Sequence, residues 1–279
     1  MASFRIRSSV ATVLFAASLL AAASFGIGAQ PDSFRFIVLG DRTGESQPGI
    51  YEQAWSEAVR LDPAFVVGVG DTIEGLHDAT ADTEWGQVRQ LLAPWRRLPL
   101  YLAPGNHDIW SAASEELFQK YAGHPPHYSF DYAQAHFTVL DNSRTEQFSA
   151  DELSFLEQDL KAHAAQPVKF IVSHRPSWIL NALLGDTGFP LHRLARKYGV
   201  RYVIAGHVHE MLHINLDGVD YVSMVSSGGH LRDAEKYESG WFFGYAAVEV
   251  RGNQVDFRIH ELNGRVSALR DWGPAGLKR

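Results

Sequence analysis

The chain has 279 residues, of which 46% are hydrophobic and 20% are charged, a balance typical of an ordinary folded protein. Its net charge of −7, with acidic and basic residues mixed, excludes the positive stripe that duplex nucleic acids require of a partner. The absence of cysteine excludes disulfides, thiolate metal ligands and a thiol nucleophile. We therefore expect no binding to nucleic-acid duplexes.

Residues 1–29 have the pattern of a secretory signal peptide. Arg5 and Arg7 precede an apolar run over 10–23, which is followed by small residues up to Ala29. Such a run is short for a bilayer-spanning anchor, and an uncleaved tether is the alternative interpretation. We predict cleavage near Ala29, with 21–23 as a second possible site. The mature chain should then lack a stable membrane span and be periplasmic or secreted.

Apolar runs alternate with amphipathic ones along the rest of the chain, which predicts alternating strands and helices. In chain order we predict a strand (34–39), a helix (51–61), a strand (65–69), a helix (85–92), a strand (98–102), a helix (115–121), a hairpin (128–132 with 136–140), a helix (150–163), a strand (168–172), a helix (191–198) and a strand (202–205). Residues 212–260 are predicted to be mostly strands and turns.

Five of these strands are followed by polar side chains that can bind metal ions. The residues concerned are Asp41, Asp71, Asn106 with His107 and Asp108, His174, and His207 with His209. Taken alone, each has an ordinary explanation. Asp after Gly often caps a turn, the 106–108 run could be an ordinary turn, and the two neighbouring histidines could be a structural pair. Together they predict a site, since the carboxyl ends of parallel strands gather their loops at one edge of a sheet.

Carboxylate and imidazole ligands suit divalent cations, and two ions about 3.5–4 Å apart can promote displacement at phosphorus. The ordered motifs Gly40-Asp41, Gly70-Asp71, Gly105-Asn106-His107-Asp108, His174 and Gly206-His207-Val208-His209 resemble those of the calcineurin-like metallophosphoesterase superfamily. The resemblance implies an α/β fold in which two mixed β-sheets pack as a sandwich flanked by helices. We assign residues 34–262 to this domain and 263–279 to a C-terminal tail.

By the same resemblance, Asp41 and His209 would hold a first metal, and Asp71 would bridge it to a second. The second metal would be held by Asn106, His174 and His207. His107, oriented by Asp108, would stabilise the transition state or protonate the leaving group. A metal-bridging hydroxide would be the nucleophile, the cofactors two divalent or mixed-valence ions (Mn, Fe or Zn), and the substrate a small phosphate ester.

The first motif departs from the commonest family pattern, Asp-x-His, because Thr43 occupies the third position of Gly40-Asp41-Arg42-Thr43-Gly44. Purple acid phosphatases also lack that histidine and use a tyrosine three residues after the bridging aspartate, where this chain has Glu74. Glu74 is therefore a candidate for completing the first metal's ligands, and an ordinary solvated loop glutamate is the alternative.

Arginines beside the ligands could bind phosphate oxygens through their planar guanidinium groups. Arg42 is the stronger candidate and Arg175 the weaker. Among the other histidines, His230 is placed to approach the site, whereas His127, His192 and His213 lack neighbours typical of ligands. The sequence thus predicts an exported phosphoesterase acting on mono- or diesters. The alternative is an exported module that binds metal or phosphate with little or no turnover.

Overall fold

The computed structural model describes residues 31–232 and 236–274. The predicted signal peptide, residues 1–29, lies outside the described residues. Across 31–232 and 236–274, none of the helices combines the length and the apolar character that crossing a bilayer requires.

Two β-sheets of six strands each form the centre of the described structure. Their strands are β1 (Ser33–Leu39), β2 (Phe65–Gly68), β3 (Leu100–Leu102), β4 (Tyr128–Tyr132), β5 (Ala135–Val139), β6 (Val168–Val172), β7 (Tyr202–Ala205), β8 (Leu212–Leu216), β9 (Val219–Ser223), β10 (Gly244–Arg251), β11 (Gln254–Glu261) and β12 (Val266–Ala268). The first sheet has the order β12-β11-β10-β1-β2-β3 and the second β4-β5-β6-β7-β9-β8. Each sheet contains both parallel and antiparallel pairs, which confirms the predicted fold class.

Six α-helices flank the sheets in the described residues, namely α1 (Ile50–Ala58), α2 (Asp78–Leu91), α3 (Ala112–Ala122), α4 (Ala150–Ala162), α5 (Ile179–Leu184) and α6 (Pro190–Tyr198). Helix α1 packs on the outer face of the first sheet through Trp55, and α4 packs on that of the second through Leu156. Helix α2 begins seven residues before the predicted 85–92 helix. The prediction missed its first half because that half is polar and has few apolar residues at helical spacing.

Aromatic side chains between the sheets hold the sandwich together. Phe36 of β1 and Phe65 of β2 stack with ring centroids 5.2 Å apart, and both meet Phe137 of β5 edge to face. Phe137 in turn stacks on Phe170 of β6 at 4.7 Å. All four side chains are fully buried. Burying each such side chain contributes roughly 1.5–3 kcal/mol, so this contact fixes how the two sheets, and the loops at their ends, face each other.

Residues 266–272, part of the segment predicted as a C-terminal tail, continue the first sheet. Strand β12 pairs antiparallel with β11, and the following turn buries Leu269 and Trp272. The Trp272 ring lies 4.7 Å from that of Phe242, and its indole N–H donates to Ser267 Oγ. The folded domain therefore extends beyond position 262. The sequence did not reveal this, because a three-residue edge strand between charged residues has no measurable period.

Trp272→Ala should destabilise the fold by about 3–5 kcal/mol, because it removes a large buried ring and leaves a cavity. Val266→Ala is the matched control, since that side chain is half exposed and its loss should cost less than about 0.5 kcal/mol. Urea unfolding followed by tryptophan fluorescence or circular dichroism measures both. Equal stability of Trp272→Ala and the wild type would show that the Trp272 ring does not stabilise the fold.

Candidate metal centre

All six predicted ligands follow strands whose carboxyl ends lie at one edge of the sandwich. The first sheet contributes three and the second sheet three: Asp41 after β1, Asp71 after β2, Asn106 after β3, His174 after β6, and His207 and His209 after β7. The structure brings them into two touching groups, described in turn below.

The first group surrounds the His174 ring, which is fully buried. Its Nε2 atom lies 3.0 Å from Asn106 Oδ1, 3.3 Å from Asp71 Oδ1 and 3.2 Å from His207 Nδ1. The donor atoms of Asp71, His174 and His207 all lie within 4.8 Å of one another. Four atoms that can bind a cation therefore converge on one point.

The chemistry of this group fits a divalent cation. His174 Nδ1 is 2.9 Å from the Val69 carbonyl, so it is the nitrogen that would keep its proton when the ring ligates a metal through Nε2, which faces the other ligands. Burial opposes the charge on His174, but Asp71 and Asp41 raise its pKa to about 9. The imidazolium thereby supplies the positive charge that the carboxylates require, which a metal ion would supply equally. Burial and the nearby His174 lower the pKa of His207 to about 3, so that ring is neutral and able to ligate.

Asp41 and His209 form the second group. Asp41 is fully buried, which raises the pKa of its carboxyl, and its Oδ1 lies 3.8 Å from His209 Nε2 and 3.6 Å from His174 Nδ1. The backbone N–H of His207 donates to the same carboxylate at 2.9 Å. His209 Nδ1 meets the His230 carbonyl at 2.7 Å, which directs Nε2 towards Asp41. Asp41 and His209 can therefore hold the ion that the resemblance assigns to them, the first metal.

Three predicted ligands have a strained backbone. Asp71, His207 and His209 have φ values of 53°, 71° and 61°, a left-handed conformation that costs non-glycine residues of order 1–3 kcal/mol. Such residues persist where the surrounding structure holds them, and they cluster at functional sites. The strain therefore supports a functional role for this edge of the sandwich independently of the ligand chemistry.

Glycines before the ligands allow the loops to approach each other closely. A Cβ atom on Gly206 would lie 2.6 Å from both Asp41 Oδ2 and Val69 Cγ2. On Gly105 it would lie 2.1 Å from the N and Oδ1 atoms of Asp71. Real Cβ atoms essentially never show such distances, so a side chain at Gly206 would have to displace Asp41 or Val69, and one at Gly105 would have to displace the backbone of Asp71.

Gly206→Ala should displace the Asp41 carboxylate, destabilise the fold by about 1–3 kcal/mol through overpacking, and lower the amount of bound metal. Gly86→Ala is the control, because nothing lies within 4 Å of its Cβ position in α2 and alanine favours a helix by up to about 1 kcal/mol. Metal analysis by mass spectrometry and urea unfolding measure the two effects. A Gly206→Ala protein with normal metal content would contradict the packing argument.

Asp108 does not orient the His107 ring as the resemblance implied. Its buried carboxylate instead accepts N–H groups from Thr72, Ile73 and Gly105, at 2.8, 3.2 and 2.9 Å. His107 Nδ1 is hydrogen-bonded to the Glu74 carbonyl. Asp108 therefore fixes the loops that follow β2 and β3, and the orientation of His107 comes from the main chain of residue 74.

The arginine expected to bind substrate, Arg42, points elsewhere. Its guanidinium donates to the Thr72 carbonyl at 3.0 Å, and it does not line the cavity of about 520 Å³ beside the ligands. Among the described residues, Arg232 is the arginine that lines this cavity, together with His107 and His230. Arg175, the weaker candidate, lies at its margin, with a guanidinium nitrogen 3.3 Å from His207 Nε2. Sequence position alone could not single out Arg232, which has no motif around it.

Glu74 lines the same cavity, but its carboxylate is engaged by the loop that follows Asp41. It accepts the backbone N–H groups of Ser46 and Glu45 at 2.8 and 3.3 Å. Burial alone would raise the pKa of Glu74, but hydrogen bonds from residues 43–46 lower it to about 2. The contacts therefore give Glu74 a role in anchoring this loop, while Thr43 is fully buried beside it.

Asn142 is a positioning residue that the sequence analysis did not identify. Its Oδ1 accepts the N–H groups of His174 and Arg175, and its Nδ2 donates to the Arg175 carbonyl at 2.7 Å. This residue follows β5 as the predicted ligands follow their strands, so its position after a strand was the available signal. The histidines judged unlike ligands bond elsewhere, His127 to Glu152, His192 to Tyr221 and His213 to Asp220.

Comparison with known proteins agrees with this geometry. The family model described as calcineurin-like phosphoesterase matches residues 34–211, and the chain belongs to that family. No curated protein matches the chain by sequence.

Solved structures share the fold at low sequence identity. A purple acid phosphatase from yellow lupin (Lupinus luteus) is 18% identical with a TM-score of 0.68, over 86% of this chain and 53% of that one. This chain thus spans about half the length of the lupin enzyme. A dimetal phosphatase from Danio rerio is 14% identical with a TM-score of 0.58, over 85% of this chain and 98% of that one. GAP50 of Plasmodium, described as an anchor in the inner membrane complex, is 15% identical with a TM-score of 0.57, over 85% of this chain and 88% of that one.

Proposed function

We propose that the chain is an exported phosphoesterase that uses two metal ions to hydrolyse small phosphate mono- or diesters. One observation carries the proposal: two groups of ligand atoms meet at Asp41 and Asp71, linked through the His174 ring, which lies 3.6 Å from one carboxylate and 3.3 Å from the other. Bound cations would offset the negative charge of these two buried carboxylates.

The two groups of side chains divide the metal binding between them. Asp41 and His209 would hold the first ion, Asp71 would be shared, and Asn106, His174 and His207 would hold the second. Bound divalent ions supply Lewis-acid stabilisation of phosphoryl oxygens and a water of lowered pKa. The protein's own contribution is to hold the donor atoms in place, through the Val69 and His230 carbonyls that fix two of the imidazole rings.

We assign His107 to the leaving group. Its ring lines the cavity, its backbone N–H donates to Asp71 Oδ1 at 2.9 Å, and the Glu74 carbonyl holds Nδ1. Nε2 is then the nitrogen available to the cavity, where an imidazolium N–H can stabilise or protonate the departing oxygen. The Glu74 carbonyl keeps the ring in this orientation without a carboxylate partner.

Substrate attraction is local, since the net charge of −7 does not favour anions. Arg232 lines the cavity and donates to the His207 carbonyl at 3.4 Å, so its guanidinium stands beside the ligands. We assign it, rather than Arg42, to the phosphate oxygens. Export is proposed on the signal-peptide pattern of residues 1–29, and Mn, Fe or Zn on the carboxylate and imidazole ligands.

A second candidate function is an exported module that binds metal or phosphate with little turnover. Thr43 favours it, because a buried threonine stands where the commonest family pattern has a ligating histidine, so Asp41 and His209 hold the first ion with fewer protein ligands. The fold is also that of GAP50, whose description as an anchor names no catalytic activity.

The purified mature chain should bind two metal ions and hydrolyse p-nitrophenyl phosphate, bis-p-nitrophenyl phosphate or both when Mn²⁺, Fe²⁺ or Zn²⁺ is present. Chelation should abolish turnover and metal addition should restore it, because the ions supply the activated water. Metal analysis and initial rates measure this. Two bound metals without turnover on either ester, on nucleotides or on phospholipid head groups would favour the binding module.

His107→Asn should retain both metals while kcat falls by about 10²–10⁴-fold, the usual contribution of a positioned acid or base. His127→Asn is the matched control, because His127 is bonded to Glu152 outside the cavity and should keep full activity. Unchanged kcat in His107→Asn would remove this residue from the chemistry, and loss of metal would make its role structural.

A further inference from the structure

A second cluster of metal-binding side chains lies outside the metal centre. It consists of Asp131 on β4, His136 on β5 and His163 just after α4, and is named here the hairpin cluster. The donor atoms of these three residues all lie within 4.8 Å of one another. None of the three lines the cavity beside His107. Their closeness follows from the fold, because Asp131 and His136 are directly opposite in the β4–β5 hairpin and α4 packs across it.

In each histidine of the hairpin cluster, one ring nitrogen contacts an acceptor on Asp159, which is not a member of the cluster. His136 Nε2 lies 2.8 Å from the carboxylate of Asp159, and His163 Nδ1 lies 2.9 Å from the carbonyl of the same residue. The remaining nitrogens face the third member. His136 Nδ1 is 2.8 Å from Asp131 Oδ1, and His163 Nε2 is 3.9 Å from Asp131 Oδ2.

Asp159 is itself firmly held. Its carboxylate, almost fully buried, also accepts hydrogen bonds from Ser129 Oγ at 2.7 Å and Thr138 Oγ1 at 2.6 Å. A carboxylate that fixes the far nitrogen of a ligating imidazole is the usual support of a zinc ligand, because it sets the tautomer and increases the basicity of the near nitrogen. Asp159 occupies that position behind His136.

We propose that the hairpin cluster is a separate binding site for a single divalent cation of the zinc class, with Asp131, His136 and His163 as ligands. Two imidazoles and one carboxylate suit Zn²⁺ better than Mg²⁺ or Ca²⁺, which bind through oxygen. Asp131 and His163 have side chains 44% and 32% exposed, so the remaining coordination position is open to water.

Binding requires one local movement. The His163 ring now stacks on that of His136, with centroids 3.9 Å apart and an angle of 14° between the planes. Since a metal lies in the plane of each ring that ligates it, His163 must turn out of this stack so that Nε2 points at the ion. Its position at the helix end and its partial exposure permit the turn. A bound ion would then tie the edge strand β4 to the end of α4.

The test counts zinc in the purified chain at a buffered free Zn²⁺ concentration, by equilibrium dialysis and mass spectrometry. His163→Gln and Asp131→Asn should each bind one equivalent fewer than the wild type, with unchanged hydrolysis of p-nitrophenyl esters. His213→Gln is the matched control, because His213 pairs with Asp220 without a second histidine and should bind as many ions as the wild type.

Equal zinc content in the wild type and both cluster variants would overturn the proposal and leave the hairpin cluster as an ion pair. Loss of more than one equivalent together with activity would also overturn it, because the site would not be independent of the metal centre. The readout is a difference between proteins, so it stands whether the metal centre binds one ion, two or none. Loss of one equivalent of zinc in both cluster variants, with activity retained, supports the proposal.

Discussion

The fold brings two carboxylates, those of Asp41 and Asp71, into a region from which solvent is almost excluded. Buried charges are costly unless they are paired, and here the compensation comes from the opposite sheet. The carboxylates follow strands of the first sheet, and His174 follows a strand of the second. The charges of the site are therefore balanced only when the two sheets pack correctly against each other. The aromatic rings between the sheets maintain this packing.

Much of this arrangement could be predicted from the sequence. The strands before Asp41, Asp71 and His174 are short apolar runs whose ends are marked by a change to polar residues, and such runs are detectable without a structure. Because parallel strands end at a common edge, their order also predicts that the six ligand candidates meet. These two signals predicted a site at this edge, and the resemblance to the calcineurin-like superfamily supplied the assignment of each ligand.

Side-chain direction and partner choice could not be predicted in the same way. Arg42 and Asp108 lie close to ligands in the sequence, but contacts with Thr72 set the direction of both side chains. Thr72 is 30 positions from Arg42 and 36 positions from Asp108 along the chain. Left-handed residues such as His207 redirect the backbone at positions where the residue type does not predict a positive φ. Strand β12 escaped detection because so short an edge strand depends on pairing with β11 rather than on its own composition.

The surroundings of Asp41 also determine when the centre can form. Its carboxylate accepts the N–H of a residue 166 positions away, and its main chain accepts N–H groups from Ser227 and Gly229. Contacts this distant in sequence are slow to form, because a long loop must close before they contribute. A chain emerging from the ribosome, or threaded unfolded across a membrane, has the strand before Asp41 long before it has these partners. If the site binds metal ions as we propose, binding would therefore have to follow the folding of the complete chain.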